Sequence, residues 1–130
     1  MGIEHIRLSQ TARDQLITLK RRTGIAHWNV LCRWALCRSL AEPGPPPNVK
    51  LTLDSNVEMN WRTFGGDIGD VLWSLVRLRC HQDGLGIDED VVAQQFRLHL
   101  HRGIGYLVGD PQVTDAAGLA SIGLTKSSAA

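Results

Sequence analysis

The residues with the clearest chemical potential are three consecutive cations in the run Lys-Arg-Arg-Thr-Gly, residues 20–24. Adjacent basic side chains can neutralise the phosphates of a nucleic acid. They can also offset the negative end of a helix dipole when they stand in its last turn. Both interpretations remain open at this point. On the first one, the DNA-contacting candidates, including the nearby upstream arginines and the glycine of the turn, are Arg7, Arg13, Lys20, Arg21, Arg22 and Gly24.

The distribution of charge favours the phosphate interpretation. Residues 1–50 carry eight Lys/Arg against three Asp/Glu, a net charge of +5. Residues 51–130 carry six against ten, a net charge of −4. A basic first half and an acidic second half predict that a polyanion contacts the first half.

Residues suited to catalysis or metal binding form no recognisable set. Cys80 and His81 are adjacent, but neighbours on a helix face different directions, so Cys80 is better read as a core thiol than as a nucleophile. His99 and His101 diverge by about 200° on a helix and cannot bind one metal ion together. No Cys-x-x-Cys or His-Glu-x-x-His spacing is present. We therefore predict no catalytic residue, no metal and no cofactor.

Periodicity places the basic run at the end of a helix. Residues 4–8 alternate between apolar and polar, which indicates a short strand. Ser9 is a suitable N-cap for a helix over residues 10–22, and Gly24 is a suitable stop. A second helix is predicted over residues 27–40.

The second helix has apolar residues on two opposite sides. A helix of this kind is buried on both sides, which a short chain achieves most readily by packing against a second copy. We therefore predict a homo-oligomer, a dimer or a tetramer. Its predicted core residues are Trp28, Leu31, Trp34 and Ala35.

The rest of the chain is predicted from turn residues and helical spacing. The expected features, in order, are a proline-rich linker at 43–47, a small β-hairpin formed by 49–53 and 57–61, a helix over 67–82, a helix over 88–103 and a flexible tail at 110–130. Residues 1–109 would then form one helical domain, in which 65–109 is a C-terminal helical pair.

Composition excludes some classes of protein. The apolar fraction of 43% is ordinary for a globular protein, and no stretch approaches the roughly 20 apolar residues of a membrane helix. The first residues lack the charged start and apolar run of a signal peptide. We expect a cytoplasmic protein without a membrane partner.

Residues 4–40, a strand followed by two helices, look like a ribbon-helix-helix module. That resemblance implies an intertwined dimer whose paired strands enter the DNA groove, with His5 and Arg7 facing the DNA. The alternative is a generic helical hairpin. The predicted fold class is mainly α: a ribbon-helix-helix-like first half, a small hairpin and two further helices, in an oligomer.

Four longer segments together resemble the DndE family, the small subunit of bacterial DNA phosphorothioation systems, over roughly residues 4–109. The similar segments are RLSQTARDQLITLKRRTG, WNVLCRWALCRSL, GDIGDVLWSLVRLRCHQDGLG and QFRLHLHRGIGYL. The resemblance implies a pathway that replaces a non-bridging phosphate oxygen with sulfur. It also implies that partner subunits, among them an ATPase and sulfur-transfer proteins, carry out the chemistry.

The predicted function is therefore that of a non-catalytic accessory subunit. It would bind duplex DNA, nicked duplex included, without strong sequence preference inside a sulfur-modification complex. Two alternatives remain: a ribbon-helix-helix transcriptional repressor, and a sulfur-relay protein that uses Cys80.

Overall fold

A short strand and a capped helix begin the fold as their residues predict. Strand β1 (His5–Arg7) buries Ile6 between two exposed neighbours. The side chain of Ser9 then accepts a hydrogen bond from the Ala12 amide and caps helix α1 (Gln10–Thr23). Gly24, with φ at 72°, ends the helix in the left-handed conformation that a glycine adopts without strain. The predicted start and stop of this helix are confirmed.

The computed structural model describes residues 3–129, and side chains for residues 3–122, so residues 1, 2 and 130 of the predicted domain and tail lie outside it. Within these limits the protein is mainly helical, as predicted, and it has one two-stranded antiparallel sheet. A 3₁₀ turn covers Gly66–Ile68. The remaining elements are α2 (Trp28–Leu40), β2 (Glu58–Asn60), α3 (Trp61–Gly65), α4 (Gly69–Gln82), α5 (Glu89–Gly109) and α6 (Ala116–Ala129).

The predicted hairpin is wrong, because β2 pairs with β1 instead of with residues 49–53. Ile6 lies opposite Met59 in the antiparallel register. Residues 49–53 form no strand. The turn that was expected to close the hairpin instead contacts the junction of β1 and α1: Asp54 Oδ1 accepts from the Gln10 amide at 2.9 Å, and Ser55 Oγ donates to the Leu8 carbonyl at 2.7 Å.

The same pairing corrects the ribbon-helix-helix prediction. In that module the strand pairs with the strand of a second chain, whereas β1 here pairs with β2 of its own chain. The outward residues His5 and Arg7 lie opposite Asn60 and Glu58. The first half of the chain is therefore a strand and two helices completed by a later strand of the same molecule.

Trp61, predicted to end a strand, begins α3. The Asn60 side chain caps this helix by accepting from the Thr63 amide at 2.7 Å. The Trp61 ring centroid then lies 5.2 Å from that of Phe64 and 5.5 Å from that of Trp73. Phe96 of α5 joins this cluster, with its centroid 5.2 Å from Trp61. The aromatic cluster joins α3 and α4 to α5.

The chain after residue 109 is not the predicted tail. Helix α5 continues to Gly109, beyond its predicted end at residue 103, and α6 follows after a short turn. Val113, Leu119 and Ile122 are buried in the core. Burial of these apolar side chains stabilises a segment whose small residues suggested fraying.

Helices α2 and α5 approach each other closely at a glycine. At Gly103 of α5, an added Cβ would overlap the Ala35 carbonyl of α2. The inner side of α2 is buried completely against this contact. The residues of that side are Leu31, Cys32, Ala35, Leu36 and Ser39.

A buried polar network fixes the end of α2 to α5. Ser39 Oγ lies 2.8 Å from His99 Nδ1 and accepts from Arg102 Nε at 2.8 Å. The Ser39 hydroxyl therefore contacts both the His99 ring and the Arg102 guanidinium. Burial, with the nearby Arg102 charge, lowers the pKa of His99 from 6.5 to about 4.

Two arginines hold the start of the proline segment, residues 43–47. Arg79 of α4 donates to the carbonyls of Leu40 and Glu42, at 2.8 and 2.6 Å, and to that of Gly44. Arg102 also donates to the Gly44 carbonyl, at 3.3 Å. The segment predicted as a linker is therefore fixed against the helices.

We expect Gly103→Ala to lower the free energy of unfolding by about 1–3 kcal/mol, because the Ala35 backbone oxygen that it meets cannot rotate away. Gly105→Ala is the matched control: it lies in the same helix, and no atom stands within 4 Å of the added Cβ. That variant should raise the free energy of unfolding by up to about 1 kcal/mol. Urea denaturation measures both, and equal effects would contradict the close crossing.

A second prediction concerns acid stability. Between pH 6.5 and 4 the unfolded chain binds a proton at His99 that the folded chain does not, so stability falls as the pH falls through this window. The loss from His99 alone is about 3 kcal/mol at pH 4. Urea denaturation across this range should give a shallower pH dependence for His99→Gln than for the wild type. Identical dependences would contradict a neutral, buried His99.

Candidate nucleic-acid interface

The basic turn, defined as Lys20, Arg21 and Arg22, occupies the last turn of α1. The Gly24 amide donates to the Lys20 carbonyl at 2.9 Å and closes the helix. The chain then reverses into α2, which begins at Trp28. The three cations therefore stand together beside the short connection between α1 and α2.

Each cation of the basic turn has a different environment. Lys20 Nζ lies 4.6 Å from the centroid of the Trp28 ring, within the range of a cation–π interaction. Arg22 Nη1 donates to the Val108 carbonyl at 2.8 Å, so the C-terminal end of α5 lies beside the basic turn. Arg21 is exposed and has no partner among the described residues. The turn thus combines one free guanidinium with two cations whose positions are held.

The two upstream arginines differ from the basic turn. Arg13 lies on α1, and its Nη1 stands 3.6 Å from Asp14 Oδ1. Arg7 donates to Glu58 Oε2 at 2.8 Å, and this hydrogen bond and charge lower the pKa of the Glu58 carboxyl. Since both partners are exposed, water screens the pair and its energy is small. A phosphate would still have to displace Glu58 from Arg7, which makes Arg7 the weaker candidate.

The residues predicted for an oligomer core separate into two groups. Leu31 and Ala35 are fully buried within the single chain, so the expectation that they need a second copy is wrong. Trp28 and Trp34 are half-buried and pack at the edge of the core. Only Trp34 belongs to the outer side of α2, where it lies near Val30 and Cys37.

An apolar face that the sequence interpretation missed continues from this outer side onto α4. Ile68 lies beside Trp34, and Leu75 and Leu78 lie beside Cys37. The exposed large apolar residues of α4 and the 3₁₀ turn before it are Ile68 at 48%, Val71 at 57%, Leu75 at 42% and Leu78 at 52%. Their spacing of three, four and three residues is that of a helix–helix seam and could have been found in the sequence. We call residues 30, 34, 37, 68, 71, 75 and 78 the apolar face.

Among the described residues, the two candidate nucleophiles, Cys80 and Ser39, are both buried. Cys80 is 1% exposed, and burial, with the nearby Asp83 charge, raises the pKa of its thiol, so the reactive thiolate is disfavoured. Ser39 and His99 are spaced as a nucleophile and its base would be, but Ser39 is completely buried. A substrate cannot reach either residue in this conformation.

Metal-ligating residues do not converge either. No group of three or more His, Cys, Asp or Glu residues stands close enough to hold a metal ion in the part of the chain that the structure describes. His99 and His101 diverge as predicted: His101 Nε2 accepts from the Ser9 amide, whereas His99 contacts Ser39. Among the described helices, none has both the length and the apolar character needed to cross a membrane.

Known proteins resemble this chain in sequence and in fold. Residues 5–115 match the family of the DNA sulphur modification protein DndE. The crystal structure of DndE from Escherichia coli B7A, involved in DNA phosphorothioation modification, is similar at a TM-score of 0.69 and 23% identity, covering 82% of this chain and 98% of that one. The structure of a DndE G21/24K mutant involved in DNA phosphorothioation is similar at 0.62 and 19%, covering 82% and 99%. No curated protein matches the chain.

The two crystal structures show the same fold at low sequence identity, and the family match covers most of the chain. The resemblance predicted from the four sequence segments is confirmed. The protein belongs to the DndE family of DNA sulphur modification proteins.

Proposed function

We propose that the protein is a DNA-binding accessory subunit of a cytoplasmic sulfur-modification complex, and that it holds duplex DNA by its phosphates at the basic turn. The observation that carries this proposal is the exposed, unpaired guanidinium of Arg21 between Lys20 and Arg22. Arg13, on the same helix, extends the positive surface.

The neighbours of Arg21 keep donors for a phosphate. An ammonium group has three N–H donors, and those directed away from the Trp28 ring remain available to a phosphate. Arg22 uses one nitrogen on Val108, and a guanidinium has five N–H donors in total. At Gly24 no atom stands within 4 Å of the Cβ position, so a phosphate can approach the backbone closely.

Binding by phosphates implies little sequence preference, since base edges carry the sequence information. The ribbon-helix-helix repressor, the first alternative, would read bases with a free strand. Here β1 is paired within the chain, and its outward Arg7 is bonded to Glu58. These contacts favour the phosphate-binding subunit over the repressor.

The second alternative, sulfur relay through Cys80, is disfavoured by the burial of that thiol and its raised pKa. We therefore assign the sulfur chemistry to the other subunits of the complex, its ATPase and sulfur-transfer proteins. The role of this chain is then to hold duplex DNA, intact or nicked, for them.

We also propose that the subunit acts as a homo-oligomer, a dimer or a tetramer, joined through the apolar face. Four side chains there, those of Ile68 in the 3₁₀ turn and Val71, Leu75 and Leu78 in α4, are each 42–57% exposed. Contiguous exposed apolar residues of this kind mark interaction surfaces. The seam spacing suits a helix of a second copy.

Replacing Lys20, Arg21 and Arg22 with Ala should weaken binding to every duplex about equally. Each lost phosphate contact reduces the slope of log affinity against log salt concentration by about one unit. Titrations against random and defined duplexes at several salt concentrations measure both effects. Because Arg22 also contacts Val108, the single variant Arg21→Ala separates loss of charge from loss of packing.

The matched control is Arg77→Ala, which removes an exposed helical arginine, without a partner among the described residues, from α4. It should leave the salt slope unchanged. An unchanged slope in the folded triple variant would move the DNA surface elsewhere. A selective loss at one duplex sequence would favour base reading and the repressor.

For the oligomer we expect Leu75→Asp to yield a folded monomer, because Leu75 is 42% exposed and its carboxylate replacement is tolerated in water but not in an apolar interface. Ile17→Asp, on α1 at 41% exposure, should leave the assembly intact. Light scattering measures the mass of each variant. A folded monomeric wild type at micromolar concentration would refute this interface.

A further inference from the structure

A groove lies between the proline segment and the first turns of α5, and none of its lining residues belongs to the basic turn or to the apolar face. Pro45, Pro46 and Pro47 form one wall, and Val91 of α5 forms part of the other. Leu85 completes the apolar part of the lining, and its side chain is 40% exposed. The groove has a volume of about 660 Å³.

The proline wall is fixed before anything binds. Arg79 and Arg102 hold the carbonyls of Leu40, Glu42 and Gly44, immediately before the prolines. Asp83 accepts from Arg79 Nε at 3.0 Å and keeps that guanidinium in place. Because the wall is already ordered, less conformational entropy is lost when a segment binds to it.

The chemistry of the groove suits a peptide. Proline has no backbone N–H, so covering this wall leaves no amide donor without a partner. The side-chain amides of Asn48, Gln94 and Gln95 can pair with the backbone of an extended segment. Gln95 Oε1 is buried and has no hydrogen-bond partner among the described residues. A peptide N–H in the groove could supply the donor that this oxygen lacks.

The charge of the groove favours a partner with positive charge. Asp90 is the one charged residue of the described lining, and it belongs to the same first turn of α5 as Glu89, directly after Asp88. A carboxylate beside an apolar floor is complementary to an apolar side chain flanked by a cation.

We propose that this groove binds an extended segment of a partner protein, in which an apolar side chain is flanked by Lys or Arg. The apolar side chain packs between the prolines, Leu85 and Val91, and a flanking cation pairs with Asp90. Val91 and Val108 stand 17 residues apart on α5, which corresponds to about 26 Å along the helix. Since Arg22 contacts Val108, the basic turn remains free when the groove is occupied.

The test uses a short synthetic peptide with two leucines between pairs of lysines, titrated into the isotopically labelled protein and followed by amide NMR shifts. We expect shifts at Leu85, Val91 and Gln95. Two matched peptides, one with glutamate for lysine and one with serine for leucine, should bind about tenfold more weakly or worse.

The protein variants Leu85→Ser and Asp90→Asn should each bind the lysine–leucine peptide with about tenfold lower affinity. Both side chains are exposed, so both variants should fold. Ile17→Ser, of nearly equal exposure on α1, and Asp70→Asn, in the first turn of α4, are the matched controls and should bind normally.

Three outcomes would overturn the proposal. The first is no shift at about 1 mM peptide, and the second is equal binding of the glutamate peptide. The third is a loss of oligomer mass in Leu85→Ser, which would show that a second copy of the chain fills the groove.

Discussion

The backbone contact between α2 and α5 at Gly103 organises the rest of the molecule. Because glycine leaves room for the Ala35 carbonyl, the two helices approach closely and the inner side of α2 is buried within one chain. The polar end of α2 is then brought to Arg102, which also holds the proline segment. The outer side of α2 is left to form the apolar face with α4. A larger residue at position 103 would move all of these features together.

Local sequence signals predicted the elements that local interactions define. Helix α1 begins after Ser9 and ends before Gly24, as expected, because an N-cap and a left-handed glycine each act on residues only a few positions away. The partner of a three-residue strand is different: β1 pairs with residues about fifty positions away, and alternation alone cannot identify that partner. The helical end of the chain was missed because burial of Leu119 and Ile122 outweighs the weak propensity of a segment rich in small residues.

The candidate site was predictable in position but not in its contacts. The order Lys-Arg-Arg-Thr-Gly placed three cations at a helix end, yet nothing in the sequence indicates that Arg22 meets Val108 or that Lys20 stacks on Trp28. The pairing of Arg7 with Glu58 depends on the register of β1 and β2, and the sequence alone does not indicate it either. The apolar stripe of α4 was legible from its spacing.

The length of α5 has a consequence for how a complex on this subunit would behave. One end of this 21-residue helix meets the basic turn, and the other end forms a wall of the groove. A protein tethered at one end and DNA held at the other would be confined within a few nanometres of each other. Confinement on this scale corresponds to effective concentrations in the millimolar range. Weak individual contacts would then suffice to keep an enzyme at its substrate, and the rigidity of the helix would set the distance between them.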